Sequence, residues 1–178
     1  LETFKNIEVP LQVFHWLPGT NNDTRPEVSP TSLALPVKPS IAILAFTNMS
    51  NDPEQDFFAE GISEDIITEL SKFRSLFVIA RNSAFAFKEH ATEVKEIGRK
   101  LGVRYIVEGS VRRVGQRVRI TAQLIDAIED QHLWAERYDR DLEDIFAVQD
   151  EVTQAIVTTI EPELMNTERQ RARRKSTA

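Results

Sequence analysis

An α/β fold, a mixed five-stranded sheet with helices on both faces, is predicted by three features of the chain. Ser40–Phe46, SIAILAF, is a continuous apolar run bounded by turn residues, as a strand buried on both faces requires. Helical periodicity then alternates with short apolar runs, so right-handed crossovers build a parallel part. Toward the end three strand-like segments follow one another, which adds antiparallel strands along one edge. The resulting order is β-α-β-α-β-β-β-α, with strands expected in the order 2-1-3-4-5 and no internal repeat.

Residues 1–16 end in an alternating stretch in which Leu11, Val13 and His15 oppose Gln12, Phe14 and Trp16, a short strand without a local partner. Residues 17–39 mix Pro18, Pro26, Pro30, Pro36 and Pro39 with Gly, Asn, Asp, Ser and Thr, which is linker composition. The folded domain is expected over residues 40–165. Asp52-Pro53-Glu54-Gln55 reads as a helix start, with a capping carboxylate, proline at the first position and a Gln reaching back. Phe58, Ile62, Ile66, Leu70 and Phe73 then mark one helix face, with Gly61 beside them for close packing. Ser75–Asn82, SLFVIARN, is the second strand, and Val94–Leu101 a short helix stopped by Gly102. VRYIVEGSVRR and QRVRITAQLIDA form a hairpin through Val114 and Gly115. Its second arm sets Val118, Ile120, Ala122 and Leu124 against Arg117, Arg119, Thr121 and Gln123. Gln131–Asp139, QHLWAERYD, pairs next, with Trp134 and Tyr138 covering the sheet. Leu142, Ile145, Val152, Ile156 and Ile160 trace a long amphipathic helix that Pro162 should kink or end. Residues 166–178 are a basic tail, and beyond Met165 the chain reads as too polar to pack.

Composition narrows the chemistry. A formal charge of -6 argues against nucleic acid as a partner, because counterion release needs a dense cationic face. With no cysteine, disulfides, thiolate metal sites and cysteine nucleophiles are excluded. No apolar run approaches the ~20 residues of a membrane-spanning helix. Seven carboxylates between Pro39 and Ser71 without a Lys or Arg read as a solvated acidic helix face. The turn TNMSNDPEQD lacks the glycines and lysine of a phosphate cradle. A crevice at the strand ends remains the place for a cation or uncharged ligand, lined by Asn48, Ser50, Arg81, Asn82 and Ser83. His15, His90 and His132 are scattered, so no metal site is assigned, and Ser110 lacks the flanks of a nucleophile elbow. For a protein partner the candidates are Arg112, Arg117 and Arg119 at the hairpin and Phe146 and Val157 on the last helix. The fragment is assigned no catalytic residue and no cofactor.

The runs PSIAILAFTNMSNDPEQDFFAEGISEDIITELSKFRSLFVIARNSAFAFK, IGRKLGVRYIVEGSVRRVGQRVRITAQLIDA and HLWAERYDRDLEDIFAVQDEV closely resemble the TolB-like domain of bacterial signalling proteins, related to the amino-terminal domain of TolB and to FlgO. The resemblance spans about Lys38 to Glu163. FKNIEVPLQVFHW is similar to the last strand of class III adenylate/guanylate cyclase catalytic domains, and IEPELMNTERQRARRK to the segment leading into tetratricopeptide repeats. These resemblances imply a three-part parent of cyclase, TolB-like domain and repeats, with the catalytic residues upstream of Leu1. They imply a cytoplasmic, non-enzymatic regulatory module in cyclic-nucleotide signalling, with protein partners that include other domains of the parent or a second copy. A small-ligand sensor, nucleotides among its ligands, is the alternative.

Overall fold

The computed structural model describes residues 38–50, 52–88 and 92–176. The expectations for residues 1–16, for most of the linker 17–39, and for His15 and His90 lie outside the described residues.

Strands β1 (Ser40–Ile43), β2 (Thr47–Asn48), β3 (Phe77–Val78), β4 (Tyr105–Val114), β5 (Arg117–Asp126) and β6 (Gln131–Asp141) form one sheet with helices α1 (Gln55–Ser71), α2 (Arg81–Phe85), α3 (Val94–Leu101) and α4 (Ile145–Ser176). The strand order is β3-β1-β4-β5-β6, with the short β2 also pairing β4. This is the predicted 2-1-3-4-5 arrangement, β2 continuing the path of the first strand along β4. The pairs β1/β3, β1/β4 and β2/β4 are parallel, while β4/β5 and β5/β6 are antiparallel.

The first strand breaks at residues 44–46 because Phe46 turns its ring into the core. Its freed amide donates to the buried Ser63 Oγ at 2.9 Å, and Ser63 in turn donates to the Ala59 carbonyl at 3.1 Å. The buried Phe46 amide is thus satisfied by a side chain instead of the sheet ladder. Across the sheet, a Cβ on Gly109 would lie 2.4 Å from Phe46 Cε2 and 2.5 Å from the Thr121 carbonyl oxygen. Gly109 is thus the residue that admits the Phe46 ring.

One face of the sheet carries the main core, where Phe58, Ile62, Ile66 and Leu70 of α1 meet Val152, Ile156, Ile160 and Leu164 of α4 over Val107, Val111, Ile120 and Leu124. A smaller cluster of Ala42, Ile97, Val103, Ile106 and Ala127 seats α3 on the opposite face. Helices accordingly cover both faces. Tyr138 is in the main core and Trp134 packs against it.

Four local expectations are corrected. The run SLFVIARN forms only the two-residue β3, and Arg81 opens α2. The hairpin turns at Gly115–Gln116, since Val114 and Arg117 are paired. Helix α4 continues through Pro162 for 32 residues. Pro162 and Thr158 both lie on the solvent side, so the Thr158 carbonyl that loses its helical donor meets water. Meanwhile Ile160 and Leu164, one turn apart around the proline, are both fully buried and hold the helix to the sheet. The segment beyond Met165 also packs: Tyr105 donates its hydroxyl to Glu168, which Arg171 pairs in turn.

Candidate functional site

The residues predicted to line the crevice are engaged locally and stand in separate groups. Asn48 Nδ2 donates to the Asp52 carbonyl at 2.9 Å and to Asp56 Oδ1 at 2.8 Å, while its Oδ1 accepts the Ser50 amide at 2.8 Å. Ser50 Oγ accepts the Arg113 amide at 2.9 Å, which ties the turn to β4. Asp52 accepts the Glu54 amide at 3.0 Å and Gln55 Nε2 at 3.2 Å in the turn that leads into α1, but the helix itself starts two residues later than its sequence suggests, at Gln55 with Glu54 at the cap. Arg81 instead lies against Glu60 and Glu64 of α1, at 3.2 and 3.5 Å, with its guanidinium 4.6 Å from the Phe85 ring centre. Asn82 and Ser83 are exposed on α2. None of the five lines the three recesses described next. The acidic face of α1 is also less solvated than expected, since Asp56, Glu60, Glu64, Asp65 and Glu69 all have side-chain partners.

The first recess, about 290 Å³, opens on the sheet face away from α1 and α4. Its floor is Glu108, Gly109 and Ser110 of β4 with Thr121 and Gln123 of β5, and Phe87, Lys88 and Thr92 form one wall. Cross-strand pairing sets Glu108 beside Gln123, which donates to it, and Ser110 beside Thr121. The polar alternation of the hairpin pointed to this face as solvated. The wall from the α2–α3 connection had no signal in the hairpin pattern and was missed.

At the hairpin, Arg112, Arg117 and Arg119 converge as predicted, lining a second recess of about 320 Å³ with Val114, Val118 and Asp139. Arg119 holds Asp139 through two bonds, Nε to Oδ1 at 2.7 Å and Nη2 to Oδ2 at 3.0 Å. That hydrogen bonding holds the Asp139 carboxyl below the usual range. A third recess, about 560 Å³, lies between the start of β6 and the end of α4 and includes the buried pair Arg104–Asp126 at 2.6 Å. Sequence reasoning did not single out that pair.

The hairpin end of the domain, away from the third recess, gathers apolar side chains. The carboxyl ends of β2 and β4 and the amino ends of α1 and α4 all lie there, because α1 returns antiparallel to β1 and Leu142 bonds back to Gln116. Phe57 is 83% exposed, Val114 74% and Phe146 73%, with Met49 and Ile145 also open. Gln149 of α4 lies against Gly61 and donates to Asp65 of α1, so the two helices run side by side. Phe57 precedes Gly61 and Phe146 precedes Gln149 by about one turn each, which puts both rings at the open end of the helix pair. Val157, by contrast, is 3% exposed and part of the core, so the expectation that it contacts a partner is corrected. Among the described residues no group of three His, Asp or Glu is placed to hold a metal ion, and no helix is long and apolar enough to cross a membrane.

A family model described as HilA/YgeH-like transcriptional regulator, second domain, matches residues 37–155. A curated relative, "Putative adenylate cyclase 3" of Rhizobium meliloti, is 55% identical over 168 residues, 94% of this chain. The chain spans 29% of that relative's length. Among solved structures, lipoprotein GNA1162 from Neisseria meningitidis superposes with a TM-score of 0.51 at 18% identity, over 68% of this chain and 96% of that one. TolB from Acinetobacter baumannii gives a TM-score of 0.48 at 22% identity, over 69% of this chain and 28% of that one. The likeness to GNA1162 is one of fold alone.

Proposed function

Since the chain belongs to the family formed by the second domain of HilA/YgeH-like transcriptional regulators, we propose that it is a non-catalytic regulatory and protein-interaction module. Its setting is a cyclase-type parent, as the relative's name suggests. There it couples partner binding to cyclic-nucleotide output in the cytoplasm, where the nucleotide is, with tetratricopeptide repeats following the basic tail. The observation that carries this reading is the collection of open apolar side chains, Met49, Phe57, Val114, Ile145 and Phe146, at one end of the domain beside Arg112 and Arg117. A patch of this kind with a cationic rim fits protein contact. Placing Phe57→Glu with Phe146→Glu in the parent protein should change cyclic-nucleotide formation several-fold while the melting temperature holds. Unchanged output in a folded double variant would overturn the proposal.

The first recess supports a second reading, a sensor for a small polar ligand, because Glu108, Gln123, Ser110 and Thr121 converge on its floor. That reading expects a ligand at a hundredfold excess over its dissociation constant to stabilise the chain by about 2.7 kcal/mol. Thermal melts against nucleotides and small polar metabolites check it, and a Thr121→Val variant should abolish any shift found.

A further inference from the structure

Among the described residues strand β6 is the outer strand of the sheet, paired by β5 on one side. Its ladder shifts register at Leu124/Ile125 and is regular from Ala135 to Asp141. In that regular half Ala135, Glu136, Arg137 and Asp141 are exposed, and Asp139 and Arg140 are half-buried. An open edge of this length is a template for another strand unless its side chains forbid it. Here they forbid most partners and admit one. The segment Glu136-Arg137-Tyr138-Asp139-Arg140 carries charges that invert about Tyr138. Reversed and laid beside itself, it presents Arg137 to Asp139 and Glu136 to Arg140.

We propose that β6 pairs antiparallel with β6 of a second copy, across a two-fold axis normal to the sheet at Tyr138. Such an axis requires one residue to oppose its own counterpart, because paired residues must share a face. Centring on Glu136, Arg137, Asp139 or Arg140 sets a charge against itself. Tyr138 is the position within 136–140 that does not, and its register also makes four opposite-charge pairs. On the open face, Asp139 already holds Arg119, so Arg137 of the second copy completes a row of alternating sign. On the helix face, Arg140 stands between Glu151 of α4 at 2.7 Å and Glu136 of the second copy. Main-chain hydrogen bonds along the edge supply the association, and the charges fix its register. This inference rests on the interaction-module reading and names the partner as a second copy of the chain.

Sedimentation of the full 178-residue chain should show a reversible dimer that weakens as salt rises. Glu136→Arg and Arg140→Glu each turn two opposite-charge pairs into like pairs, and each alone should weaken dimerisation by roughly tenfold or more. Mixed in equal amounts, the two variants restore opposite charges at every position, so a mixed dimer should return. Melting curves establish that each variant folds. A chain that stays monomeric into the millimolar range, a dimer indifferent to both substitutions, or a mixture that stays dissociated would overturn the proposal. The cyclic-nucleotide test of Phe57 and Phe146 is independent of β6, so a response there with no β6 dimer would sink this pairing and leave the module reading standing.

Discussion

Gly109 and Phe46 illustrate how single residues shape this sheet. The ring of Phe46 occupies the space that any side chain on residue 109 would need. Gly109→Ala should therefore destabilise the domain by about 3 kcal/mol, measured by urea unfolding, and Phe46→Leu in the same chain should recover part of the loss. Tyr105 makes a second residue-scale case. Burial, then its bond to Glu168, raises its hydroxyl well above the usual tyrosine range. A raised folded value means the contribution is complete below the unfolded tyrosine pKa and is lost as pH rises through the folded one. The chain holds two tyrosines, and in a spectrophotometric titration Tyr105 should ionise abnormally late, with Tyr105→Phe halving the late step rather than abolishing it. Tyr138 is raised for similar reasons, burial first and then Glu136, so it should remain late in the Tyr105→Phe variant. Gly109 had no legible role in the sequence, because its constraint comes from a residue 63 positions away in the chain.

Among the elements, α4 departs furthest from what its pattern suggests. A proline inside a helix costs about 3 kcal/mol when it breaks the ladder, and periodicity alone stops or bends the helix there. The surrounding side chains decide otherwise, since Ile156, Ile160 and Leu164 remain on the core side through the whole turn. Pro162→Ala should raise stability by about 1–3 kcal/mol in urea unfolding, because packing already fixes the helical path that proline opposes. Loss of the Tyr105 hydroxyl should have the opposite local effect, with faster amide exchange in residues 165–171. The strands were easier to read. Period-two alternation in β5 and the apolar β1 reflect burial, which sequence records directly, whereas the short β3 gives way to α2 where Arg81, its first residue, meets Glu60 and Glu64 of α1.

At the scale of the molecule, charge and apolar surface are sorted toward one end. Arg112, Arg117 and Arg119 met at the hairpin as their spacing predicted, because two strands joined by a tight turn must bring them together. The grouping with Phe57 and Phe146 arises from two helices far apart in sequence whose amino ends finish level. Exposed aromatic rings of this kind contribute little to folding, so Phe57→Ser and Phe146→Ser should each shift stability by less than about 0.5 kcal/mol in urea unfolding, while weakening partner capture. Family membership over residues 37–155 takes in β1 to β6 and α1 to α3. By itself the sequence determined the order of the main strands and helices, though not the short β2 and α2, together with most of the faces they bury and the cationic hairpin, since periodicity and turn chemistry are local. Only the tertiary structure decided that the crevice residues stand apart, that Val157 belongs to the core, and that α4 passes its proline. Each of these depends on which distant side chain fills a given space, and that is a property of the packed chain.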